Sequence, residues 1–237
     1  MTETLNSSAA APRALPRPAA VLYDWDNTLA DNWGAIVAAM NHTLASFRLA
    51  TWGEEEARRR IKASLRDAFP KLFGDGWRDA REIYYAHFAA HHLDHLKPTL
   101  GAAALLDAVA AAGAYQGVVS NKTGRFLRAE VEALGWTSRF GAIVGANDAA
   151  RDKPDPAPVA LALQPANIQP KQDVWFVGDN DIDMQCAHQS GLTGILIASP
   201  EHGGGGEALA ALEFPPAVTF SSCAALSVLV SRSFAPI

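Results

Sequence analysis

The chain has 237 residues, of which 49% are hydrophobic, and this length suits one core domain with a modest insertion. Its formal net charge of -5 at pH 7, without a long basic run, argues against nucleic acid or an anionic membrane surface as a partner. No run approaches the roughly 20 apolar residues of a membrane helix, so we expect no membrane association.

The opening of the chain, MTETLNSSAAAPRALPRPA (residues 1–19), lacks the basic start and apolar core of a secretory signal peptide. We expect it to form a mobile N-terminal tail. The two cysteines, Cys186 and Cys223, lie far apart and show neither metal-ligand spacing nor a disulfide pattern. We expect both to be buried, and this cysteine usage is typical of a cytoplasmic protein.

Six short apolar runs are typical of β-strands, and helix-like stretches lie between most of them. In chain order the runs are AVLYDW, YQGVVS, GAIVG, DVWFVGD, TGILIAS and AVTF. Two of the helix-like stretches end at Gly113 and Gly135, and a third, DPAPVALAL, has prolines near its first turn. The alternation predicts an α/β fold, with a Rossmann-like parallel sheet covered by helices on both faces.

The interval from Asp31 to about Pro98 offers no strand-like run and is predicted to be helical. Apolar residues share one helical face from Trp33 to Phe47, and a second face runs from Ala57 to Ala68. A third helix is predicted from Trp77 to Leu93.

We therefore expect an α-helical cap, residues 32–98, inserted into a catalytic core that comprises residues 20–31 and 99–237. The aromatic and apolar stripes of the cap are interpreted as packing surfaces. The run HGGGG, residues 202–206, is predicted to be a flexible surface loop.

Four polar segments follow strand-like runs, where an open parallel sheet binds its ligands. They are DWDNT with Asp24 and Asp26, SNK from Ser120 to Lys122, RDKPDP with Lys153, and GDNDID with Asp179 and Asp183. At least three carboxylates gathered at one edge repel one another unless a cation joins them, and Mg²⁺ is the usual ion in phosphoryl chemistry. A serine hydroxyl with nearby backbone N–H groups and a lysine suit a phosphate dianion.

An aspartate in such a site can attack phosphorus, and a second acid two residues later can protonate the leaving alcohol. This spacing serves catalysis only if the strand has just ended, because side chains two apart in a strand share a face. The sequence predicts that turn at Asp26, Asn27 and Thr28. Each segment alone is typical of an ordinary loop, a surface lysine or part of a calcium loop. Their joint occurrence, each after a strand, favours a catalytic site.

With these motifs the chain resembles the haloacid dehalogenase superfamily of hydrolases, in the phosphoglycolate phosphatase-like branch that carries a helical C1-type cap. DWDNT matches the DxDxT motif, SNK the second motif, KPDP the third, and GDNDID the GDxxxD form of the fourth. The resemblance runs from about Ala20 to Leu229.

The resemblance implies that Asp24 is the nucleophile and a metal ligand. It implies that Asp26 is the general acid/base and offers its backbone carbonyl to Mg²⁺, and that Thr28 supports the turn. Asp181, in the fourth motif, is predicted to be a solvated residue at a helix start, where its charge is favourable.

The resemblance also implies the groups that hold phosphate and metal. Ser120 and the backbone of Asn121 would bind the phosphoryl oxygens, and Lys153 would steady the nucleophile and the phosphate charge. Asp179 would ligate Mg²⁺, and Asp183 would hold the metal shell or Lys153 in place.

The cap segment RRRIKASLRDAF stands where relatives carry a specificity loop, so Lys62, Ser64 and Arg66 are candidates to face the substrate. The alternative for most of its basic residues is the solvated side of an amphipathic helix, and the arginines at 58–60 are assigned to solvent. A further group, His91, His92 and His95, looks like a metal cluster but lacks an acid or cysteine partner. It is predicted to be a solvated helix end.

The sequence thus predicts a Mg²⁺-dependent phosphomonoester hydrolase that forms an aspartyl-phosphate and acts on a small phosphorylated metabolite, with 2-phosphoglycolate as a candidate. We expect a monomer or homodimer. A sugar-phosphate mutase resembling β-phosphoglucomutase shares every core motif and stays open. A phosphonate hydrolase or a dehalogenase has no use for Asp26. A catalytically idle module that binds a phosphorylated ligand would be expected to have lost Asp24, Asp26 or Lys153.

Overall fold

The structure, a computed structural model, describes residues 15–61, 65–94, 96–199 and 212–234. Several predictions concern residues outside these ranges. They are the first part of the tail, the candidate specificity residues Lys62 and Ser64, His95, and the glycine run at 202–206. Within the described residues, no helix combines the length and apolar character that crossing a membrane requires.

The strands are β1 (Ala20–Tyr23), β2 (Ala30–Asp31), β3 (Lys97–Pro98), β4 (Tyr115–Thr123), β5 (Ala142–Ala146), β6 (Val174–Gly178), β7 (Thr193–Ile197) and β8 (Val218–Phe220). Six of them, one from each predicted run, form a parallel sheet in the order β5-β4-β1-β6-β7-β8. The first strand lies between β4 and β6, with Ala20 opposite Tyr115 and Val174. The predicted parallel sheet is confirmed.

The helices are α1 (Trp33–Ser46), α2 (Glu54–Arg60), α3 (Leu65–Phe73), α4 (Trp77–His91), α5 (Ala102–Ala111), α6 (Gly124–Ala133), α7 (Ala157–Leu163), α8 (Asp181–Gln189) and α9 (Cys223–Phe234). Short 3₁₀ turns lie at Gly74–Gly76, Thr137–Arg139 and Gln164–Ala166. Gly113 and Gly135 follow α5 and α6 with φ of 77° and 70°, the left-handed conformation that ends a helix.

Two apolar clusters cover the two faces of the sheet. Val21 and Tyr23 of β1 belong to one cluster and Ala20 and Leu22 to the other, as the alternation of side chains along a strand requires. A third cluster contains residues of α1, α2, α3 and α4 together with Phe126 of α6. The four helices between β2 and β3 therefore have an apolar core of their own, which contacts the sheet domain at α6.

The second cap helix differs from the sequence prediction. The face from Ala57 to Ala68 was expected to lie on one helix, but α2 ends at Arg60 and α3 begins at Leu65. Ile61 has left the helical conformation, with φ of -90° and ψ of 85°. The apolar side of α3 is carried instead by Phe69 and Phe73, which are buried in the cap cluster.

A two-residue antiparallel ladder between β2 and β3 joins the chain where it leaves and re-enters the sheet domain. Sequence analysis did not predict it, because neither segment is long enough to show a strand pattern. The cap boundaries at residues 32 and 98 stay a prediction.

The described end of the predicted tail is held on the core, which corrects the expectation of a mobile segment up to residue 19. Leu15 packs against the main apolar cluster. The Arg17 guanidinium donates to the carbonyl of Ala112 at 3.0 Å, and the Ala19 N–H donates to the carbonyl of Asp173 at 2.8 Å. Both cysteines are free and buried, as predicted.

Candidate active site

The four predicted segments meet at the carboxyl edge of the sheet. Asp24 follows β1 directly, Asp179 follows β6, and Lys153 lies in the connection after β5. The SNK segment differs from expectation, since Ser120, Asn121 and Lys122 still belong to β4. A register irregularity between Val119 and Thr123 interrupts its pairing with β5 at this point.

The first strand ends before Asp24, and a tight turn follows Asp26, as the sequence predicts. The Asp24 N–H donates to the carbonyl of Val177 at 2.9 Å. The Trp25 carbonyl then accepts the N–H groups of Leu29 and Ala30 at 2.9 and 3.0 Å, and Asn27 adopts a left-handed φ of 61°. The two carboxylates have different cationic partners, Lys153 for Asp24 and Lys122 for Asp26, so that each can have its own chemical role.

Lys153 is the buried cation of the site. Its ammonium donates to Asp24 Oδ1 and Asp183 Oδ1, both at 2.7 Å, and its side chain is only 2% exposed. Burial lowers the pKa of Lys153, but the charges and hydrogen bonds of Asp183 and Asp24 outweigh it and raise the pKa above its usual value. The lysine is therefore charged and fixed beside the predicted nucleophile.

The first turn of α8 places the two acids of the fourth segment. Asp183 Oδ2 accepts the backbone N–H groups of Asp179 and Asn180 at 3.1 and 3.2 Å, and Asn180 Oδ1 accepts the N–H of Ile182 at 3.0 Å. This reciprocal cap satisfies amide groups that a helix start leaves unpaired. Asp181 is exposed in the same turn, as predicted.

Three carboxylate oxygens, one each from Asp24, Asp179 and Asp183, lie within 4.8 Å of one another. Oxygen donors of this kind are what Mg²⁺ binds in proteins, so the cluster fits a divalent ion. Both oxygens of Asp183 are already engaged, one by Lys153 and the other by backbone N–H groups. The geometry therefore favours Asp24 and Asp179 as direct ligands. The Asp26 carboxylate is not part of this cluster.

The crowding of like charges is visible in the pKa values. Burial raises the pKa of the Asp183 carboxyl to about 7, and the charge of Asp24 adds to the rise, while the charge and hydrogen bond of Lys153 act in the opposite direction. Burial likewise raises the pKa of Asp179, and the charges of Asp183 and Asp24 add to the rise. A cation among these groups would offset the repulsion.

The predicted phosphate-binding residues connect two of the segments. Ser120 is buried, and its hydroxyl accepts the Lys122 N–H at 3.2 Å. The Asn121 amide donates to the carbonyl of Lys153 at 3.1 Å. The Asn121 bond holds the end of β4 against the lysine that contacts the predicted nucleophile.

Sequence analysis did not recognise the partners of Lys122. Its ammonium lies 2.7 Å from Asp26 Oδ1 and donates to both oxygens of Glu130, at 2.7 and 2.8 Å. One feature of the sequence could have indicated the contact with Glu130. Glu130 is a charged residue on the apolar face of α6 that also carries Phe126, Leu127 and Val131, and a buried charge requires a partner.

Comparison with known proteins places this arrangement in a family. The sequence profile of the family described as haloacid dehalogenase-like hydrolase matches residues 21–197. The chain belongs to the haloacid dehalogenase-like hydrolases. A phosphoglycolate phosphatase from Xylella fastidiosa is 31% identical over 183 residues, which cover 76% of this chain and 80% of that protein. The predicted superfamily and its phosphoglycolate phosphatase-like branch are thus confirmed.

Two further proteins are similar to this chain, one in sequence and one in fold. An N-acetylmuramic acid 6-phosphate phosphatase from Pseudomonas aeruginosa is 29% identical over 177 residues, covering 73% of this chain and 78% of that protein. The crystal structure of CbbY from Rhodobacter sphaeroides, in complex with phosphate, has a TM-score of 0.72 at 22% identity. The structural match covers 88% of this chain and 96% of the CbbY chain, which shows that the two proteins share a fold.

The prediction of a solvated histidine cluster at the end of α4 is wrong for His92. Its side chain is 6% exposed, and Nδ1 lies 2.8 Å from Glu130 Oε1. His92 continues the buried stripe of Tyr84 and Phe88 at four-residue spacing, and its ring stacks on Phe88. His91 is exposed and contacts Asp94, as a solvated helix end would.

Of the three candidate specificity residues, the structure describes Arg66, which lies on α3. Its guanidinium forms an ion pair with Asp152 Oδ2 at 2.8 Å. Asp152 immediately precedes Lys153, and its other oxygen accepts the N–H of Asn147 at 2.9 Å. Arg66 therefore contacts the segment that carries Lys153. Arg59 and Arg60 are exposed, in agreement with their assignment to solvent.

Proposed function

We propose that this hydrolase is a Mg²⁺-dependent phosphomonoesterase of small phosphorylated metabolites. The observation that carries the proposal is the position of Lys153, 2.7 Å from the nucleophile candidate Asp24 and beside a cluster of three carboxylates. Asp24 thus lies beside both a fixed positive charge and oxygen donors that suit a cation. The family and the named relatives support a phosphatase.

In the first step, an Asp24 carboxylate oxygen attacks phosphorus and forms a new P–O bond. The bond from phosphorus to the ester oxygen breaks, and its electron pair leaves with that oxygen. Asp26 supplies the proton, so that an alcohol departs and an aspartyl-phosphate remains. Burial raises the pKa of Asp26 to about 6, near the range in which a general acid is effective at neutral pH.

In the second step, water attacks the phosphorus of the aspartyl-phosphate. Asp26, now ionised, accepts a proton from this water. The bond between phosphorus and Asp24 breaks, which restores the carboxylate and releases inorganic phosphate. One acid therefore serves both half-reactions, first as proton donor and then as proton acceptor.

The remaining residues hold charge in place. Asp24, Asp179 and the Asp26 carbonyl would hold Mg²⁺, which when bound neutralises phosphoryl oxygens. Asp183 fixes Lys153 and the start of α8. Ser120 and the Asn121 backbone, at the end of β4, would bind the phosphoryl oxygens.

For the substrate we propose a phosphate ester of a small carboxylic acid, with 2-phosphoglycolate as the first candidate. The support is that two relatives are named for phosphorylated acids, phosphoglycolate and N-acetylmuramic acid 6-phosphate. Arg66 is the cap cation placed beside the Lys153 segment, and a guanidinium pairs well with a carboxylate. We further propose that the enzyme works in the cytoplasm as a monomer or homodimer.

A screen of small phosphate esters tests the proposal. The panel contains 2-phosphoglycolate, N-acetylmuramic acid 6-phosphate, glucose 1-phosphate and p-nitrophenyl phosphate, each with Mg²⁺ and with excess chelator. We expect release of inorganic phosphate that requires Mg²⁺ and is fastest for a phosphorylated acid. Conversion of glucose 1-phosphate to glucose 6-phosphate in place of phosphate release would indicate a mutase. No turnover of any ester would contradict the proposal.

A further inference from the structure

A buried ammonium group connects the proposed acid/base to a carboxylate outside the four motifs. Lys122 Nζ lies 2.7 Å from Asp26 Oδ1 and 2.7 Å from Glu130 Oε2. The Lys122 side chain is 5% exposed and that of Glu130 is fully buried, whereas that of Asp26 is 21% exposed. Asp26 is thus the most exposed of the three side chains.

Glu130 is fixed from several directions. Besides Lys122, it accepts hydrogen bonds from Trp25 Nε1 at 2.7 Å and Asn32 Nδ2 at 2.8 Å, both on Oε2. His92 Nδ1 lies 2.8 Å from the other oxygen, Oε1. The donors come from the turn after β1, the start of α1 and the end of α4. These contacts fix the position of the Glu130 carboxylate, and the carboxylate in turn fixes the position of the Lys122 ammonium.

A purely structural ion pair does not require Asp26. Lys122 and Glu130 alone form a balanced buried pair, and a third group with negative charge leaves two carboxylates on one ammonium. The backbone of Lys122 is also bound to the proposed phosphate site, because its N–H donates to the Ser120 hydroxyl at 3.2 Å. Lys122 therefore links the Asp26 carboxylate to the segment that would hold the phosphoryl group.

We propose that Lys122, held by Glu130, is a positioning residue that fixes the Asp26 carboxylate relative to the substrate's leaving oxygen. This inference rests on the proposed function, in which Asp26 transfers the proton. A general acid acts only within hydrogen-bond reach of its target oxygen. A carboxylate held at Oδ1 by a fixed ammonium loses rotational freedom before the substrate arrives, so that less freedom must be lost in the transition state.

Two variants with the same change at Glu130 isolate the role of Lys122. Glu130→Gln keeps the ammonium, whereas Lys122→Met/Glu130→Gln removes it. In the double variant, the Gln oxygen can accept from Trp25 and Asn32, and the Gln amide can donate to His92 Nδ1 in its Nε2-protonated tautomer. In Glu130→Gln the same amide also faces the Lys122 ammonium, which lies 2.8 Å from Oε1 in the native protein, so the loss in this variant includes that repulsion. The double variant leaves neither Lys122 nor Glu130 charged in the interior, so it avoids the cost of an unpaired buried charge. Circular dichroism and thermal unfolding establish that each variant is folded.

The readout is the single-turnover rate of the first step for 2-phosphoglycolate, or the fastest alkyl ester of the panel, and for p-nitrophenyl phosphate. The alkoxide needs the proton and nitrophenolate does not, so we expect the double variant to lose roughly tenfold or more on the alkyl ester and less than about threefold on the aryl ester. Glu130→Gln should lose less than the double variant on the alkyl ester. Equal losses on both esters, or an unchanged alkyl rate in a folded double variant, would overturn the inference.

Asp26→Ala, measured alongside these variants, distinguishes a failure of the positioning role from a failure of the proposed function. If Asp26→Ala shows the leaving-group dependence and the folded double variant does not, the positioning role fails and the proposed mechanism stands. If Asp26→Ala loses equally on both esters, Asp26 is not the acid, and both proposals fall.

Discussion

The acidic cluster should make the stability of the metal-free protein fall as the pH rises. A carboxyl whose pKa is raised in the folded protein holds its proton more tightly there than in the unfolded chain. Its contribution to stability is therefore greatest at low pH and is lost as the pH rises toward the folded pKa. Asp183, with its pKa raised from 3.8 to about 7, and Asp26, raised to about 6, both act in this direction.

The size of the effect follows from the Asp183 value. Between pH 5 and pH 7 the folded group keeps a proton that the unfolded group has lost, which at 1.36 kcal/mol per pH unit amounts to about 3 kcal/mol. For a chain of this length, that is a fall of roughly 5 to 10 °C in the unfolding temperature. His87 acts in the opposite direction because burial and neighbouring histidines lower its pKa.

The assay is thermal unfolding in excess chelator and in Mg²⁺, at pH 5 and pH 8. Mg²⁺ binds ionised carboxylates, so it should raise the unfolding temperature more at pH 8 than at pH 5. The difference between the Mg²⁺ and chelator curves cancels the contribution of His87, which lies outside the metal cluster. An equal Mg²⁺ effect at both pH values, or a metal-free protein that is more stable at pH 8, would refute this reasoning.

Three further changes test single residues. Asp24→Asn should abolish turnover with nearly unchanged far-UV circular dichroism, because the amide keeps the volume and loses the nucleophile; appreciable hydrolysis would contradict the role. Asp26→Ala should slow the first step for an alkyl phosphate by about 10² to 10⁴ and slow that for nitrophenyl phosphate less. Arg66→Gln should raise KM for 2-phosphoglycolate more than for p-nitrophenyl phosphate. Asp152→Asn, which loses the same ion pair, is its matched control, and an identical change in both variants would assign Arg66 to cap attachment only.

The fold and the main site were predictable because their signals are local. Each strand of the sheet is an apolar run in the sequence, and parallel strands bring their carboxyl ends to one edge. The residues that follow those runs, such as Asp24 and Asp179, must then converge. The turn at Asp26 to Thr28 was likewise readable, since Asn favours the left-handed conformation found at position 27.

The features that sequence analysis missed depend on distant pairs. His92 was expected in solvent because its partner, Glu130, lies 38 positions away on another helix. Lys122 contacts Asp26 and Glu130, and its neighbours in the chain indicate neither contact. The ladder of β2 and β3 spans two residues on each side, too few for a pattern. Such contacts are set by how the elements pack.

The central claim is that Asp24 becomes phosphorylated during turnover. The most direct measurement is acid quenching of the Mg²⁺-loaded enzyme within the first turnover of its best ester, followed by mass spectrometry of the peptide that contains Asp24. We expect a phosphoryl group on Asp24 in the wild-type protein and none in Asp24→Asn. Asp26→Ala should carry more of it if the second step is slowed further than the first. A phosphoryl group on another residue, or appreciable hydrolysis by a folded Asp24→Asn protein, would contradict this claim.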